Sequence, residues 1–376
     1  MKPNKIIICA PELGISPDSN SGGELHDREV LRNLAKLGVK VEIILPKGRK
    51  YDKGIENWQV TQLPIKTVFP PYLLNLILIP YLFKIFKRTN YDAIRVFSPY
   101  FCGFAALVFK LFHPKIPLVA IYHHLENSNV IFTLIDRLII KKFDHIITVS
   151  NATKKELIKK YSLNETKITV AYIGVDKQLQ PKTKNQTLLN QYHLEGKKVL
   201  LFLGGLKFRK NVSFLLDLLK ELKDSSVVLI IAGEGNARNL LKLKTWLLGI
   251  QNQVRFTGYI PEKRKSDFFN LCDVFLVPSK KEGFGAMSIE AQACGKPVLV
   301  SDSSSLPETL IDGQTGFVCR LNDKKDWLEK LTILLKDDKL CESMGRNAIK
   351  FASKFSWKKF AKVQKEVFGR LVKLNA

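Results

Sequence analysis

The stretch that most constrains the fold is residues 273–301, where two apolar runs enclose a glycine-containing loop and a helix-forming segment. Continuous apolar runs of this length are typical of strands that are buried in a parallel sheet. In the loop, Gly283 and Gly285 let the backbone approach a ligand closely. Residues 286–294 then predict a helix, which Gly295 ends. The order strand, loop, helix, strand predicts an α/β fold.

Two carboxylates frame this unit, Glu282 on the loop and Glu290 in the helix, with seven residues between them. A loop ahead of a helix N-terminus presents N–H groups and a positive dipole end, which suit phosphate. Carboxylates beside such a site accept hydrogen bonds from hydroxyls. The stretch therefore predicts a ligand with phosphate and sugar hydroxyls. The alternative is that Glu282 is a solvated loop residue and Glu290 a charge on the helix surface.

Residues 273–301 resemble the E-x7-E nucleotide-sugar site of retaining glycosyltransferases with the GT-B fold, in particular those of glycosyltransferase family 4. Four motifs carry the resemblance: Glu282-Gly-Phe-Gly285, Ile289-Glu-Ala291, Gly295-Lys-Pro-Val298 and Ser301-Asp302. The resemblance extends over nearly the whole chain and is strongest over 197–320. It implies transfer of a hexose-type sugar from a nucleoside diphosphate sugar to a saccharide or lipid-linked acceptor, with retention, in the synthesis of cell-envelope polysaccharide or glycolipid.

The same resemblance implies an α/β architecture of two Rossmann-like β/α/β domains that face each other across a cleft. We expect an N-terminal acceptor domain over 1–178 and a C-terminal nucleotide-sugar donor domain over 190–355. A last helix over 356–376 would return to the first domain. The polar residues 177–196 are interpreted as the connection between domains and an irregular entry to the second domain.

Roles for the two carboxylates follow from the resemblance. It implies that Glu290 binds the ribose hydroxyls of the donor. It also implies that Glu282, together with the backbone at Phe284 and Gly285, holds the donor sugar. The retaining mechanism in this fold is usually interpreted as attack from the same face, so Glu282 is not an obvious nucleophile.

Arg209 and Lys210 lie at the turn between a predicted strand and the helix predicted at about residues 212–222. Two cations at such a turn suit a diphosphate. By resemblance, Lys210 matches the lysine that holds the diphosphate, whereas Gly205 stands where the family has an arginine. Arg209 is the candidate to supply that contact, and the alternative is that it is a surface charge. The helix N-terminus near Met287 and Ser288 would neutralise the diphosphate further. Most of the rate should come from this neutralisation, because charge develops on the leaving group.

A histidine pair ends the strand that is predicted near residue 122, at the edge of an α/β sheet where ligands bind. The resemblance implies that His123 contacts the donor sugar or the reacting centre, with His124 as the weaker candidate; the alternative is two capping or partly buried histidines. We therefore predict Glu282, His123 and Lys210 as catalytic residues. The other donor-binding positions that the resemblance implies lie in glycine turns and in the segment that reads the base: Gly22, Gly23, Gly204, Gly233, Tyr259 and Ile260.

No metal or other cofactor is expected. A leaving group that is neutralised by a lysine and a helix dipole needs no metal, and the sequence contains no Asp-x-Asp motif. Two other classes of function stay open. Gly205 favours a non-catalytic protein of the same fold that binds sugar nucleotides, or a partner subunit. The basic charge alone favours a binder of nucleic acid or of an anionic surface.

The charge is strongly basic, with 60 Lys and Arg against 35 Asp and Glu, which gives +25. The basic residues are spread evenly along the chain, and neither a focused basic patch nor a nucleic-acid-binding module is present, so we expect no nucleic-acid partner. The remaining interpretations are an anionic membrane surface, anionic substrates, or a bias in composition.

Residues 68–88 are apolar almost all round and end in Lys84, Lys87 and Arg88. One interpretation is a helix that lies in a membrane interface with these cations on anionic headgroups. The other is a helix buried against the N-terminal sheet. Within the sequence, Pro80 and Asn75 interrupt the apolar run.

The cellular setting is predicted from three features of the sequence. The N-terminus has too short an apolar run for a signal peptide, and the chain has no apolar run long enough to oblige a membrane span. Six scattered cysteines without metal spacing fit a reduced compartment. We expect a cytoplasmic protein, with peripheral association with the inner face of the membrane as the further possibility.

Overall fold

The computed structural model describes residues 5–19, 21–66, 73–97, 99–123, 134 and 137–375. The chain divides into two compact units. The first consists of Met1–Gly174 together with Trp357–Ala376, and the second of Val175–Ser356. The chain therefore enters the first unit twice, and its last helix belongs to that unit.

The first unit is built on a parallel seven-stranded sheet with the order β3-β2-β1-β4-β5-β6-β7. Its strands are β1 Ile7–Pro11, β2 Lys40–Leu45, β3 Trp58–Gln62, β4 Ala93–Phe97, β5 Leu118–Tyr122, β6 His145–Thr148 and β7 Ile168–Val170. Its helices include α1 Gly22–Lys36, α2 Leu74–Thr89, α3 Pro99–Phe112 and α4 Asn151–Tyr161, and the last helix of the chain packs along α1. The order of the strands reverses between β1 and β4.

The second unit is built on a parallel six-stranded sheet with the order β10-β9-β8-β11-β12-β13. Its strands are β8 Lys198–Leu203, β9 Val227–Ala232, β10 Val254–Gly258, β11 Val274–Val277, β12 Val298–Ser301 and β13 Gly316–Cys319. Its helices are α5 Gln186–Tyr192, α6 Val212–Leu222, α7 Arg238–Leu247, α8 Glu262–Leu271, α9 Ala286–Ala293, α10 Lys324–Lys336 and α11 Asp338–Ala352. The last helix of the chain, α12 Trp357–Asn375, belongs to the first unit. Here the strand order reverses between β8 and β11, and ligands bind parallel sheets at such a point.

One segment differs from its predicted structure. Residues 177–196 were expected to be irregular because of their polar composition, yet they contain α5. The Asn185 side chain accepts a hydrogen bond from the Leu188 N–H and begins the helix. Leu188 is buried in the core of the second unit, with Leu189 and Tyr192 packed against the same core. Burial of one apolar face therefore outweighs the polar composition.

The apolar run forms a helix, as both interpretations expected. Of residues 68–88, the positions up to 72 lie outside the described residues, and α2 is continuous through Asn75 and Pro80. The Asn75 side chain joins α2 to α3, because its amide donates to the Phe101 carbonyl at 2.8 Å and its oxygen accepts from the Ala105 N–H at 2.9 Å. Leu78 and Leu82 are buried in the core of the first unit, so α2 packs against the sheet, as one of the two interpretations expected.

The first glycine pair also lies differently from the expectation. Gly22 and Gly23 form the first turn of α1 and are not part of the loop before it. A Cβ at Gly22 would meet no heavy atom within 4 Å, and one at Gly23 would come no closer than 3.8 Å to Ser21. No close contact with a described residue therefore requires glycine at either position.

Candidate functional site

The loops after β8 and β11 lie side by side at the point where the strand order of the second sheet reverses. The β8 loop carries Arg209 and Lys210 on a single 3-10 turn, and the β11 loop carries Glu282. The two loops are joined through their backbones, because the Lys280 N–H donates to the Arg209 carbonyl at 2.8 Å. The topology thus brings two cations and one carboxylate together.

Glu282 lies at the centre of this group and has only 8% of its surface exposed. Its Oε1 accepts from the Lys210 Nζ at 2.5 Å, and its Oε2 accepts from the Arg209 Nη1 at 3.2 Å. Arg209 also donates to the Lys281 carbonyl at 2.7 Å. The side chain of Arg209 is 43% exposed and that of Lys210 is 17% exposed. The carboxylate is therefore enclosed, whereas its cations remain accessible from outside.

The ionisation of Glu282 follows from these contacts. Burial acts to raise the pKa of Glu282, but the charge and hydrogen bond of Lys210 and the charge of Arg209 act more strongly, so the pKa lies below its ordinary value. Glu282 is an anion at neutral pH. The group formed by Arg209, Lys210 and Glu282, hereafter the Glu282 cluster, therefore has one positive charge in excess.

A run of serines after β12 holds the β11 loop in place. The Ser301 hydroxyl donates to the Ser279 carbonyl at 2.6 Å, and the hydroxyls of Ser304 and Ser305 donate to the Glu282 carbonyl at 2.8 and 3.1 Å. These bonds fix the backbone on which the Glu282 side chain is mounted. Of this run, the sequence interpretation used only Ser301 as part of a motif.

Glycine is required where the loops after β8 and β9 touch. Gly233 has a φ of +141°, and a Cβ there would lie 1.9 Å from the Gly204 carbonyl oxygen. The Gly204 N–H in turn donates to the Ala232 carbonyl at 2.9 Å. The predicted donor-binding residues Gly204 and Gly233 therefore lie in contact, and the reason for glycine at Gly233 is close packing of the two backbones.

Glu290 lies on α9, apart from the Glu282 cluster, and pairs with Lys265 of α8. The Glu290 Oε2 and the Lys265 Nζ are 3.5 Å apart, and the same Nζ is 2.6 Å from the Glu262 Oε1. Burial raises the pKa of Glu290 to about 7, with Lys265 opposing this shift and Glu262 reinforcing it. Lys265 was not predicted, although its place three and four residues before Phe268 and Phe269 puts it on the buried face of α8.

The remaining predicted positions of the second unit fall into two groups. The side chain of Tyr259 is exposed, whereas those of Ile260 and Phe284 are buried, so the latter two offer only backbone at the surface.

Ser288 is buried, its N–H donates to the Gly285 carbonyl at 2.9 Å, and its hydroxyl bonds with Thr309. The predicted diphosphate contact of Ser288 would require its N–H to exchange this partner. Met287, which precedes it, is partly buried against the core.

His123 lies in the first unit, directly after β5, with its side chain 13% exposed. Its Nε2 is 3.6 Å from the Asp27 Oδ2, and its ring packs edge-on against His26, with 4.0 Å between ring centroids. Among the described residues, the Nε2 of His123 and both ring nitrogens of His26 are buried and have no partner at hydrogen-bond distance. His124 lies outside the described residues.

Behind His123 lies a buried group of charges that the sequence analysis missed. Arg95 is fully buried in β4, and its guanidinium donates to Glu12 at 2.5 Å, to Asp27, and to the Gln364 side chain of α12 at 3.2 Å. We call Arg95, Glu12, Asp27 and Gln364 the Arg95 cluster. A buried arginine needs buried acceptors. The position of Arg95 within an apolar strand was therefore the sequence signal for this group.

His26, Asp27 and His123 present ligand atoms that all lie within 4.8 Å of one another, a spacing that could hold a small cation. The Arg95 guanidinium already donates to the Asp27 carboxylate. A second positive charge at this carboxylate would therefore be opposed, and we assign no metal to the group.

The fold and the site define an α/β protein of two Rossmann-like units, the second with two cations on the turn after β8. Comparison with known families places it further. The model of "Glycosyl transferases group 1" matches residues 184–351, and that of "Glycosyltransferase Family 4" matches residues 20–179. The chain belongs to glycosyltransferase family 4, as its motifs predicted.

Individual relatives agree with this placement. An uncharacterized glycosyltransferase of Methanocaldococcus jannaschii is 27% identical over 363 residues, which cover 87% of this chain and 88% of the relative. The D-inositol 3-phosphate glycosyltransferase of Corynebacterium jeikeium is 30% identical, with 62% of this chain and 59% of the relative covered. The capsular polysaccharide biosynthesis glycosyltransferase CapM of Staphylococcus aureus is 30% identical, with 56% and 59% covered. The match spans about half to two thirds of the length of most curated relatives.

Solved structures confirm the predicted GT-B fold. Sucrose-phosphate synthase from Thermosynechococcus elongatus superimposes with a TM-score of 0.83 at 17% identity, over 98% of this chain and 100% of that one. HepE of Anabaena, solved in complex with UDP and glucose, gives a TM-score of 0.77 at 20% identity, over 97% and 100%.

Proposed function

We propose that the protein is a retaining glycosyltransferase that moves a sugar from a nucleoside diphosphate sugar to a saccharide or lipid-linked acceptor, in cell-envelope polysaccharide or glycolipid synthesis. The observation that carries the proposal is the Glu282 cluster, an enclosed carboxylate with two accessible cations at the switch point of the second sheet. Relatives that include a capsular polysaccharide enzyme, and a HepE structure with UDP-glucose, support the donor and acceptor classes.

In this proposal Lys210 and Arg209 bind the diphosphate and stabilise the charge that it gains as the glycosidic bond to the donor breaks. The family has an arginine at the position of Gly205. Arg209 lies beside Glu282, and we propose that it supplies the contact of that arginine. A diphosphate adds acceptors to two cations that already share one carboxylate. We expect these two cations and the N-terminus of α9 to hold the diphosphate without a metal.

Glu282 would act as an acceptor of hydrogen bonds from the sugar hydroxyls. Its lowered pKa keeps it ionised, so it is suited to hold the sugar and unsuited to donate a proton. The Phe284 side chain is buried, which leaves the loop backbone at Phe284 and Gly285 to contact the sugar. His123 would contact the donor sugar or the reacting centre from the first unit.

Thermal unfolding with UDP, GDP and ADP, each with and without magnesium, tests the proposal. A ligand that binds only the folded state raises the melting temperature by mass action. We expect a shift with one nucleotide that magnesium does not change. The same nucleotide should then be released from its sugar in a transfer reaction. Binding without turnover would instead indicate the non-catalytic alternative that Gly205 favours, and no shift with any nucleotide would contradict both.

A second proposal concerns the membrane, and it rests on the surface of α2 and α3. Leu73, Leu76, Phe104, Leu111 and Phe112 are exposed there. A shallow groove lined by Pro80, Phe83, Lys84, Lys87 and Arg88 adds three cations. None of the described helices is long and apolar enough to cross a membrane. Apolar side chains flanked by cations suit contact with an anionic bilayer surface.

Sedimentation with vesicles checks this contact. We expect binding to vesicles with anionic lipid, little binding to neutral vesicles, and loss of binding in a Leu111→Ser/Phe112→Ser variant. Equal binding of the variant and the wild type would contradict the proposal.

A further inference from the structure

Lys265 is a lysine on the buried face of α8, and only 8% of its surface is exposed. It shares this face with Phe268 and Phe269, which belong to the core of the second unit. A buried ammonium group is costly unless acceptors surround it. The structure supplies two such acceptors, the carboxylates of Glu262 and Glu290.

The two pairs have different geometries. The Lys265 Nζ is 2.6 Å from the Glu262 Oε1 on its own helix, and Glu262 is exposed. The same Nζ is 3.5 Å from the Glu290 Oε2 on α9, and the Glu290 side chain is 14% exposed. Lys265 therefore lies between an outer carboxylate and an inner one. The inner one, Glu290, is the group to which the family resemblance gives the ribose hydroxyls.

We infer that Lys265 is a positioning residue for recognition of the ribose of the nucleotide: its Nζ pairs with the Oε2 of Glu290, so that the Oε1 is left to accept hydrogen bonds from the 2′ and 3′ hydroxyls. The inference rests on the proposed function. An ionised carboxylate accepts hydrogen bonds about twice as strongly as a neutral group. Without the lysine, the low dielectric around Glu290 favours the protonated carboxyl, which is the weaker acceptor.

The pH dependence of nucleotide binding gives this inference a signature. The groups that act on Glu290 are Lys265, which lowers its pKa, and Glu262 and Asp176, which raise it. Since the pKa of Glu290 lies at about 7, affinity for a ribonucleotide should rise as the pH increases through that value. Removing Lys265 moves this rise to higher pH. Removing the charge of Glu262 moves it to lower pH.

The test is isothermal titration from about pH 6 to about pH 9 with whichever of UDP, GDP and ADP binds most tightly, and with its 2′-deoxy counterpart. The variants are Lys265→Met and Glu262→Gln. Lys263→Met is the matched control, because Lys263 is an exposed lysine on the same helix. Melting temperatures without ligand check that each variant folds, and methionine fills the space of the lysine stem without a charge.

We expect Lys265→Met to lose about tenfold or more in affinity for the ribonucleotide near pH 7, the cost of a hydrogen bond to a charged group. Its affinity for the deoxynucleotide should change much less, and the pH midpoint should shift upward. Glu262→Gln should shift the midpoint downward, and Lys263→Met should match the wild type.

Two different failures are distinguishable. If the wild type binds none of the nucleoside diphosphates, the proposed function fails, and this inference fails with it. If the wild type binds but Lys265→Met folds and keeps both the preference for ribose and the pH midpoint of Lys263→Met, the inference alone is overturned. A Lys265→Met variant that loses affinity equally for both nucleotides also overturns it, because that result indicates a structural role.

Discussion

The two units each contain a group of paired charges near the switch point of their sheet, and the two groups differ in their access and their net charge. The Arg95 cluster surrounds a fully buried guanidinium with the acceptors Glu12, Asp27 and Gln364. The Glu282 cluster surrounds a buried carboxylate with two cations that remain accessible. The first has two carboxyl groups to one cation, and burial together with the charge of Asp27 raises the pKa of Glu12 well above its ordinary value. The second has more cation than carboxylate.

This difference indicates different uses. A buried group whose charged side chains pair with one another holds elements together, here β1, β4, α1 and α12. The Glu282 cluster is accessible and has one positive charge in excess. Its cations can therefore exchange a contact with Glu282 for a contact with an anionic ligand. The comparison therefore predicts that changes in the Arg95 cluster act mainly on stability, and that changes in the Glu282 cluster act mainly on binding and turnover.

The largest expected effect comes from Arg95→Met, which leaves two buried carboxylates without their cation. Breaking a buried ion pair on one side costs about 3–5 kcal/mol. Denaturant unfolding measures this loss in the free energy of unfolding. Lys362→Met is the control, because Lys362 lies in an exposed pair with Glu366 on α12, and it should change little. If the Arg95→Met protein were as stable as this control, the result would contradict the claim that the Arg95 cluster stabilises the first unit.

Next in size is Lys210→Ala, which removes the cation nearest to Glu282. We expect transfer to fall by about a hundredfold to a thousandfold, the range for loss of one group that stabilises a developing charge. The melting temperature should fall less than in Arg95→Met, because Arg209 still pairs with the Glu282 carboxylate. Lys207→Ala, an exposed lysine on the same loop, should keep wild-type rates. Wild-type rates in Lys210→Ala would contradict the site, and Glu282→Ala should likewise lose most transfer.

Gly205→Arg sharpens the comparison by adding a cation to the open cluster. A Cβ at Gly205 would lie 3.9 Å from its nearest neighbour, the Glu234 carbonyl oxygen, so the side chain can be accommodated. We expect about tenfold tighter binding of the nucleoside diphosphate, the value of a charge-assisted hydrogen bond. Titration of both proteins measures it. Unchanged affinity would indicate that Arg209 already supplies this contact.

The smallest effect concerns Glu290 and pH. Its pKa rises from an ordinary value of 4.5 in the unfolded chain to about 7 in the folded one. The folded state therefore binds the proton more tightly, and the stability that this proton contributes is present below pH 4.5 and lost as the pH rises through about 7. Relative to Glu290→Gln, the wild type should lose melting temperature between about pH 5 and about pH 8. Parallel curves for the two proteins would contradict the shifted pKa.

Much of the fold followed from local patterns. Strand β11, the glycine loop and α9 lie where the apolar runs and Gly283, Gly285 and Gly295 predicted them. The edge strand β3 was not predicted, because its residues are half exposed and carry no continuous apolar run. The helix α5 was missed because its apolar face is short.

The site was predictable only in part. The family motifs name Glu282, Glu290 and Lys210, but no motif shows which side chains they pair with. The Lys265–Glu290 and Arg95–Glu12 pairs join residues that are 25 and 83 positions apart along the chain, and only the folded structure brings them together. The sequence did hold one signal for Lys265 and Arg95. Each is a charged residue at a position where the spacing of the apolar neighbours predicts burial.

The most direct test of the central claim compares a nucleoside diphosphate with the monophosphate of the same base in the wild type and in Lys210→Ala. The open cluster predicts that the wild type binds the diphosphate at least about tenfold more tightly, and that Lys210→Ala loses most of this difference while its affinity for the monophosphate changes little. An equal ratio of the two affinities in both proteins would show that the Glu282 cluster does not bind the terminal phosphate, and it would contradict the account.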